Sequence, residues 1–442
     1  MTGLTVGGIA RITGGTLHGG GEEKAVTGAV IDSRKAGPGV MFCALPGERT
    51  DGHDYITKAL AQGAPCALAA RVPPDAEGPV ITVPDVQRAM AVLAGACRDA
   101  FTGPVVGIVG SSGKTTTKEM CACVLAMRYK TLRTEGNLNN ELGVPLTLFR
   151  IDGDTQAAVV ELGISDFGEM HRLGAMARPD IAVYTLIGRS HLNTLRNLDG
   201  VFKAKTELLD EMDRDAVVIV NGDDKYLRGL DCVQRKVSYG LSAHNDVRAE
   251  NLSFPGGESV RFDIVCGGRR IPVTIPAYGR HLVYAALAAA AVGMELGLTD
   301  GEISAGTAGY TPVGRRARLI RTGGITIVDD CYNSNPDSAE LAIDSASDLP
   351  GRLVCILGDM LNLGEGSREM HAEVGERARK YGALLLTAGE ESEAMGGVHF
   401  DTRDGLIAAL PEYIKPGDTV LVKASHAMEF EKVTEALTSL YR

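Results

Sequence analysis

Several absences narrow what this 442-residue chain can do. No cluster of Lys and Arg relieves its acidic composition, with a net charge of -11 and a pI near 5.4, so it offers no basic face to nucleic acid. An acidic protein still binds anions where N–H groups, Lys and Mg2+ are gathered locally. No CxxC pair occurs among the nine cysteines. Cys43, Cys66, Cys97 and Cys355 lie in apolar runs and read as reduced core residues, and the one close pair, Cys121 and Cys123, reads as packing rather than a metal site. No apolar run reaches bilayer length, because the most apolar stretch, residues 285–292, is short and rich in Ala. The first residues lack a basic-then-apolar signal pattern, so a cytoplasmic protein without membrane insertion is expected. Finally there is no G-x-G-x-x-G, and hence no dinucleotide fingerprint, although strands and helices alternate over most of the length. Repeats and low-complexity segments are missing too, and this length predicts roughly two to four domains.

What is present is organised around Gly110-Ser111-Ser112-Gly113-Lys114-Thr115-Thr116. The apolar run before it, residues 105–109, reads as a buried parallel strand, and a helical pattern follows through Met120, Val124 and Leu125. That layout is a phosphate loop: backbone N–H groups wrap a polyphosphate, Lys114 reaches the outer phosphates and the Thr115 hydroxyl holds Mg2+. The usual first glycine falls on Ile108, so only the shorter Gly110-x-x-Gly113-Lys114-Thr115 is present. The competing reading, a helix-start turn that binds nothing, does not account for strand, turn, Lys-Thr and helix together.

Upstream, Asp32-Ser33-Arg34 follows a short strand, and Gly47 to His53, including Arg49, Thr50 and Asp51, forms a polar loop after the strand at 40–45. Polar patches at strand ends are where α/β folds place ligand contacts, but either patch alone is equally a solvated turn. Asp85 caps a helix through Ala100, and Thr102-Gly103-Pro104 breaks it, so the first domain is expected at 1–103. A central domain follows at 104–312. Its strand at 157–163 ends in Glu161, a carboxylate placed where Mg2+ on a nucleotide requires one. Further strands run into His191 and into Asn221-Gly222-Asp223-Asp224, a pattern with a faint likeness to the guanine-reading motif of GTP switches. Alternation over 247–275 predicts an antiparallel addition, and an Ala-rich helix starts at Gly279-Arg280-His281. From 313 to 442 the α/β pattern restarts as a Rossmann-like unit, with strands near 325, 353, 383 and 419.

Taken with Glu135-Gly136-Asn137-Leu138-Asn139-Asn140, Ala204-Lys205-Thr206-Glu207, Tyr332-Asn333-Ser334-Asn335-Pro336 and Leu357-Gly358-Asp359-Met360, these motifs resemble the Mur ligases over essentially the whole chain. The two Asn-rich stretches point to the member that adds D-alanyl-D-alanine. The resemblance implies three domains: a small α/β UDP-sugar domain, a central P-loop ATPase-type parallel sheet, and a mobile Rossmann-like C-terminal domain. It implies that ATP phosphorylates the carboxylate of UDP-N-acetylmuramoyl-tripeptide. The D-Ala-D-Ala amine then attacks the acyl phosphate, a step of peptidoglycan precursor synthesis carried out here by an expected monomer. Thr115 and Glu161 are then expected on one Mg2+, and His191 with a carbamylated Lys205 on a second. An unmodified ammonium repels a metal, so the other reading of Lys205 is a surface lysine paired with Glu207 or Glu211. The resemblance places nucleotide contacts at Asn137, Arg315, Asp330 and Asn333, and substrate contacts at Ser33, Arg34, Arg49, Thr50, Asp51, His53, Asn139, Asn140 and Lys423.

Three positions depart from the family pattern. Thr185-Leu186-Ile187-Gly188 replaces Thr-Asn-Ile-Gly, Gly279-Arg280-His281-Leu282-Val283-Tyr284-Ala285 lacks the amides expected near the adenine, with Leu282 and Tyr284 in their place, and Lys423-Ala424-Ser425-His426 replaces Lys-Gly-Ser-Arg. These leave open another amino-acid-adding Mur-type ligase or a non-catalytic nucleotide-binding paralogue, although Lys114, Thr115, Glu161, His191 and Lys205 favour catalysis. No single domain holds a complete site, so the C-terminal domain is expected to swing about Pro312 and Gly314.

Overall fold

Runs of Val, Ile and Ala bounded by Gly and polar turns set the strands, and the computed structural model describes them over residues 1, 3–47 and 50–442. The central sheet has nine strands in the order Arg269–Ile275, Val260–Cys266, Val247–Ser253, Arg235–Gly240, Val217–Asn221, Ile181–Tyr184, Val105–Val109, Ala157–Glu161, Thr131–Arg133. Ala157–Glu161, Val105–Val109 and Ile181–Tyr184 are parallel and buried throughout, because helices cover both faces. The chain reverses direction across the sheet at Val105–Val109, which opens a crevice at the carboxyl ends of these three strands. The alternation over 247–275 forms two antiparallel pairings that extend this same sheet. Helix His281–Glu295, rich in Ala, packs against the phosphate-loop helix Lys114–Leu125 in one apolar core.

The C-terminal sheet has six strands in the order Arg318–Thr322, Ile325–Asp329, Asp418–Lys423, Arg352–Gly358, Leu384–Ala388, Val398–Phe400. All pairings are parallel except the first, a hairpin that the reading from 325 onward missed. Its signal was Gly323-Gly324, whose φ values of 50° and 81° are those of a tight two-residue turn.

The N-terminal sheet runs Thr16–His18, Val80–Thr82, Ala67–Ala69, Val40–Cys43, Gly28–Val30. One face packs on a small core of its own, with Phe42, Ile56, Leu60 and Val80, and the other joins the core of the central sheet. Helix Val86–Ala100, capped by Asp85 at the N–H of Arg88 over 3.0 Å, presents Met90, Leu93 and Ala94 to a core that continues through Leu148, Leu173 and Tyr184. Arg98 bridges the same seam, bonding the carbonyls of Ala177 and Arg178 and the Asp180 carboxylate.

Candidate active site

The phosphate loop leaves Val105–Val109 through Gly110, where a Cβ would lie 1.9 Å from Thr185 Oγ1, so only glycine fits. Ile108, at the place of the usual first glycine, is fully buried within the strand, and the loop begins two residues later. The strand end at 185–188 braces the loop from behind. Leu186 accepts the Ser111 N–H at 2.8 Å, Thr185 Oγ1 donates to the Ser112 carbonyl at 2.6 Å, and Ser111 Oγ donates to the Gly188 carbonyl at 2.9 Å. Leu186 serves through its backbone, which explains why an amide there is dispensable for this contact. Lys114 opens the helix and curls back, its Nζ donating to the Gly110 carbonyl at 2.7 Å, and burial lowers its pKa while Glu161 opposes that shift.

Glu161 is buried at its strand end and accepts from Thr115 Oγ1 at 3.0 Å and from Asn139 Nδ2 at 2.8 Å. Behind it Lys118 is 1% exposed, 2.9 Å from Glu119 and 3.9 Å from Glu161, and donates to the Thr134 carbonyl at 2.7 Å. His191 is held in the left-handed region at φ 54°. Burial, then the charges of Lys205 and Lys114, draw its pKa down to about 4, leaving a neutral imidazole free to act as a ligand. Lys205 is 1% exposed, and burial and Lys114 push its pKa well below the ordinary lysine value. Its proposed surface partners are engaged elsewhere: Glu207 accepts the Gly168 N–H, and Glu211 lies 3.2 Å from His171. A buried amine of depressed pKa is the nucleophilic form that carbamylation needs.

These groups line one cavity of about 670 Å³, which the C-terminal sheet closes from the opposite side. Ser111, Ser112, Gly113, Lys114, Thr115, Thr116, Asn137, Asn139, Asn140, Glu161, His191 and Lys205 face it from the central sheet, and Asp330, Asn333 and Lys423 from the other. Lys423 donates to Asp330 Oδ2 at 2.7 Å and to the Asn333 carbonyl at 2.9 Å. Arg315 is not among the lining residues; its guanidinium pairs with Asp329 at 3.1 Å and Glu435 at 2.9 Å. Its neighbour Arg316 does line the cavity, stacked 3.6 Å over the Tyr332 ring.

The N-terminal positions lie apart from this cavity. Arg34 forks onto Asp32 with two contacts of 2.9 Å beside Ser33, and His53, buried, pairs with Asp51 at 2.6 Å. Thr50 is exposed, and Arg49 lies outside the described residues.

Comparison with known proteins places this geometry. Residues 25–98 match the model of the Mur ligase family catalytic domain, 108–293 the Mur ligase middle domain, and 315–426 the Mur ligase glutamate ligase domain. A Bacillus subtilis protein, UDP-N-acetylmuramoyl-tripeptide--D-alanyl-D-alanine ligase, is 35% identical over 98% of both chains. The chain belongs to the Mur ligase family. Among solved structures, MurF from Acinetobacter baumannii superposes with a TM-score of 0.90 at 28% identity, over 98% of both chains. MurF ligase from Thermotoga maritima in complex with ADP superposes with a TM-score of 0.84 at 28% identity, over 93% of this chain and 97% of that one.

In this Mur ligase the Asn221–Asp224 turn is structural. Asn221 donates to the Thr185 carbonyl at 3.0 Å, Asp224 accepts the Ile187 N–H at 2.8 Å, and Asp223 accepts the Tyr284 hydroxyl at 3.1 Å. Their side chains are spent on the loop and not on a base. The cavity residues that went unforeseen include Arg316, Tyr278, His281 and Asn335. Asn335 and His281 stood inside quoted motifs, Arg316 was a coin-toss beside Arg315, and Tyr278 had no local signal. The Mur ligase shows no helix, among the described residues, long and apolar enough to cross a membrane.

Proposed function

We propose that this Mur ligase adds D-alanyl-D-alanine to UDP-N-acetylmuramoyl-tripeptide with conversion of ATP to ADP, as a cytoplasmic monomer of three domains at 1–103, 104–312 and 313–442. The single observation that carries the reading is the joint cavity: phosphate loop, buried carboxylate, neutral imidazole and buried amine on one wall, and the Lys423–Asp330 pair on the other. The full-length likeness to relatives of that name supports the choice of substrates.

The reaction joins two anions, ATP and a carboxylate, so the protein's work is charge neutralisation and exclusion of water. The tripeptide carboxylate attacks the γ-phosphorus, and the bond from that phosphorus to the bridging oxygen breaks to release ADP. The dipeptide amine then adds to the acyl carbon, and collapse of the tetrahedral adduct expels phosphate. Lys114 neutralises the transferred phosphoryl group, and the N–H groups of Ser112 to Thr115 hold the polyphosphate. Asn137, Asp330 and Asn333 complete the nucleotide site, which Arg315 joins only on leaving Asp329 and Glu435, whereas Asn139, Asn140 and Lys423, with Ser33, Arg34, Arg49, Thr50, Asp51 and His53 from the N-terminal domain, address the sugar nucleotide.

The residues fit Mg2+. Among the described residues no three His, Cys, Asp or Glu side chains converge, so the chain supplies only part of a coordination shell, as expected for a cation shared with phosphates and water. Thr115 and Glu161 would hold one ion, and His191 with carbamylated Lys205 a second. Bound there, Mg2+ supplies charge neutralisation on the phosphates.

The test is ADP release by purified protein with UDP-N-acetylmuramoyl-tripeptide, with and without D-Ala-D-Ala. ADP and amide formed together, only with both substrates, are expected. ADP release that ignores the dipeptide removes the assignment.

A further inference from the structure

The turn leading into His191 carries a cation that no motif singled out. Arg189, on the central wall, meets three carboxylates of the C-terminal domain. Its Nη2 lies 2.9 Å from Glu340 Oε1, its Nε 3.2 Å from Asp337 Oδ1, and its Nη1 bonds Glu373. Its main-chain N–H donates to Asp337 Oδ2 at 2.6 Å, so the backbone of the turn is held as well as the side chain. At Gly188 a Cβ would lie 2.5 Å from the same Asp337 oxygen, which shows how closely turn and helix approach.

Asp337 and Glu340 belong to helix Pro336–Ala346 and Glu373 to the adjoining Ser367–Lys380. The first of these helices is capped by Asn335, whose amide bonds Ser112 of the phosphate loop at 3.0 Å. One helix start therefore grips both the loop and the turn before His191. Isolated surface ion pairs contribute little, because water screens them and two side chains must be immobilised. This one differs: the guanidinium is 22% exposed, uses its fork, and faces an excess of negative charge that would repel itself if Arg189 were absent. His191, two residues on, holds a left-handed conformation that its own backbone does not favour, so its placement depends on what surrounds the turn.

We infer that Arg189 is a positioning residue: its clasp with Asp337, Glu340 and Glu373 couples docking of the C-terminal domain to placement of the His191 turn. The site is then competent only in the docked arrangement. The activity readouts rest on the ligase reaction proposed above; the structural readout does not.

Two variants break the clasp from opposite sides, Arg189→Ala on the turn and the pair Glu340→Gln/Glu373→Gln on the helices. Hydrogen–deuterium exchange of residues 186–195 is followed with the ATP analogue adenylyl-imidodiphosphate and Mg2+ bound. In each variant exchange there should rise about fivefold or more, and kcat should fall about tenfold to a hundredfold, the scale of a small misplacement of reacting groups, with KM for ATP changing less than about threefold. The ratio of ADP to amide should climb above one, since an undocked wall admits water to the acyl phosphate. Combining all three substitutions should add nothing further, as members of one unit are non-additive. Unchanged exchange and unchanged kcat in Glu340→Gln/Glu373→Gln overturn the inference, even if Arg189→Ala proves unstable. Wild-type protein that makes no amide would instead refute the substrate assignment, and exchange alone would then decide the clasp.

Discussion

Asn335 bridges two domains with one side chain: its Nδ2 donates to Ser112 Oγ at 3.0 Å while its Oδ1 accepts the Ser338 N–H at 2.9 Å and caps its own helix. Aspartate keeps the cap and loses the amide. Asn335→Asp should therefore hold its melting temperature, since a lost N-cap costs about 1 kcal/mol and this one is retained. A carboxylate beside the phosphate loop repels polyphosphate, so KM for ATP should rise roughly tenfold, about 1.4 kcal/mol. Thermal melts and initial-rate kinetics on the same preparation check both halves.

Lys114→Ala should reduce kcat by about 10² or more, the usual cost of losing a preorganised charge at a reacting centre. Its stability should hold or improve, because the ammonium is buried against the Gly110 carbonyl and its pKa is lowered by that burial. Turnover near the wild-type rate would remove the phosphate-loop assignment.

A third expectation concerns acid. The Thr299 backbone N–H, then Arg128, hold the Glu302 carboxylate in its ionised form and lower its pKa from 4.5 to about 2. A depressed folded pKa contributes stability above pH 4.5, and that contribution disappears as pH falls from 4.5 toward 2. Between those limits Glu302→Gln should lose less stability than the parent, measured by denaturant melts at stepped pH. Parallel curves for the two proteins would contradict it.

The fourth concerns the base. Leu282 is buried in the core and Tyr284 is tied to Asp223, so neither turns a polar group to the cavity from helix His281–Glu295. Discrimination between ATP and GTP should stay below about 10⁴, the level reached by sites built around hydrogen bonds to the ligand. Comparing kcat/KM for the two nucleotides tests it, and a larger ratio would mean that Tyr278 or His281 reads the base.

The residues legible in advance were those whose role is local. Lys114 and Thr115 follow from a strand, a turn and a helix start within a dozen positions, and Glu161 from its place at a strand end. Asn335, Arg316 and Arg189 act across chain separations that periodicity does not carry, and their partners are set by how two sheets face each other. Asp51 and His53 were legible as a polar loop after a strand, but not how that loop is held. Their side chains bond each other and Asp51 also holds Arg71, twenty positions away. For Lys205 the resemblance implied a carbamylated metal ligand, and a surface lysine on its i+2 and i+6 glutamates was the other reading; burial, which sequence does not display, tells against the second.

The core running from helix Val86–Ala100 into Leu148, Leu173 and Tyr184 bears on how the protein is made. A ribosome delivers the first hundred residues well before their packing partners exist. The core that Met90, Leu93 and Ala94 share is not complete until translation has passed residue 184, so the N-terminal sheet emerges with its own small core filled but that second face open. The C-terminal sheet, flanked by cores built almost wholly from its own residues, is free of that delay. The nascent chain is thus most exposed to aggregation and proteolysis in its first half, and a stall or truncation between residues 104 and 184 should leave a fragment with one apolar face uncovered.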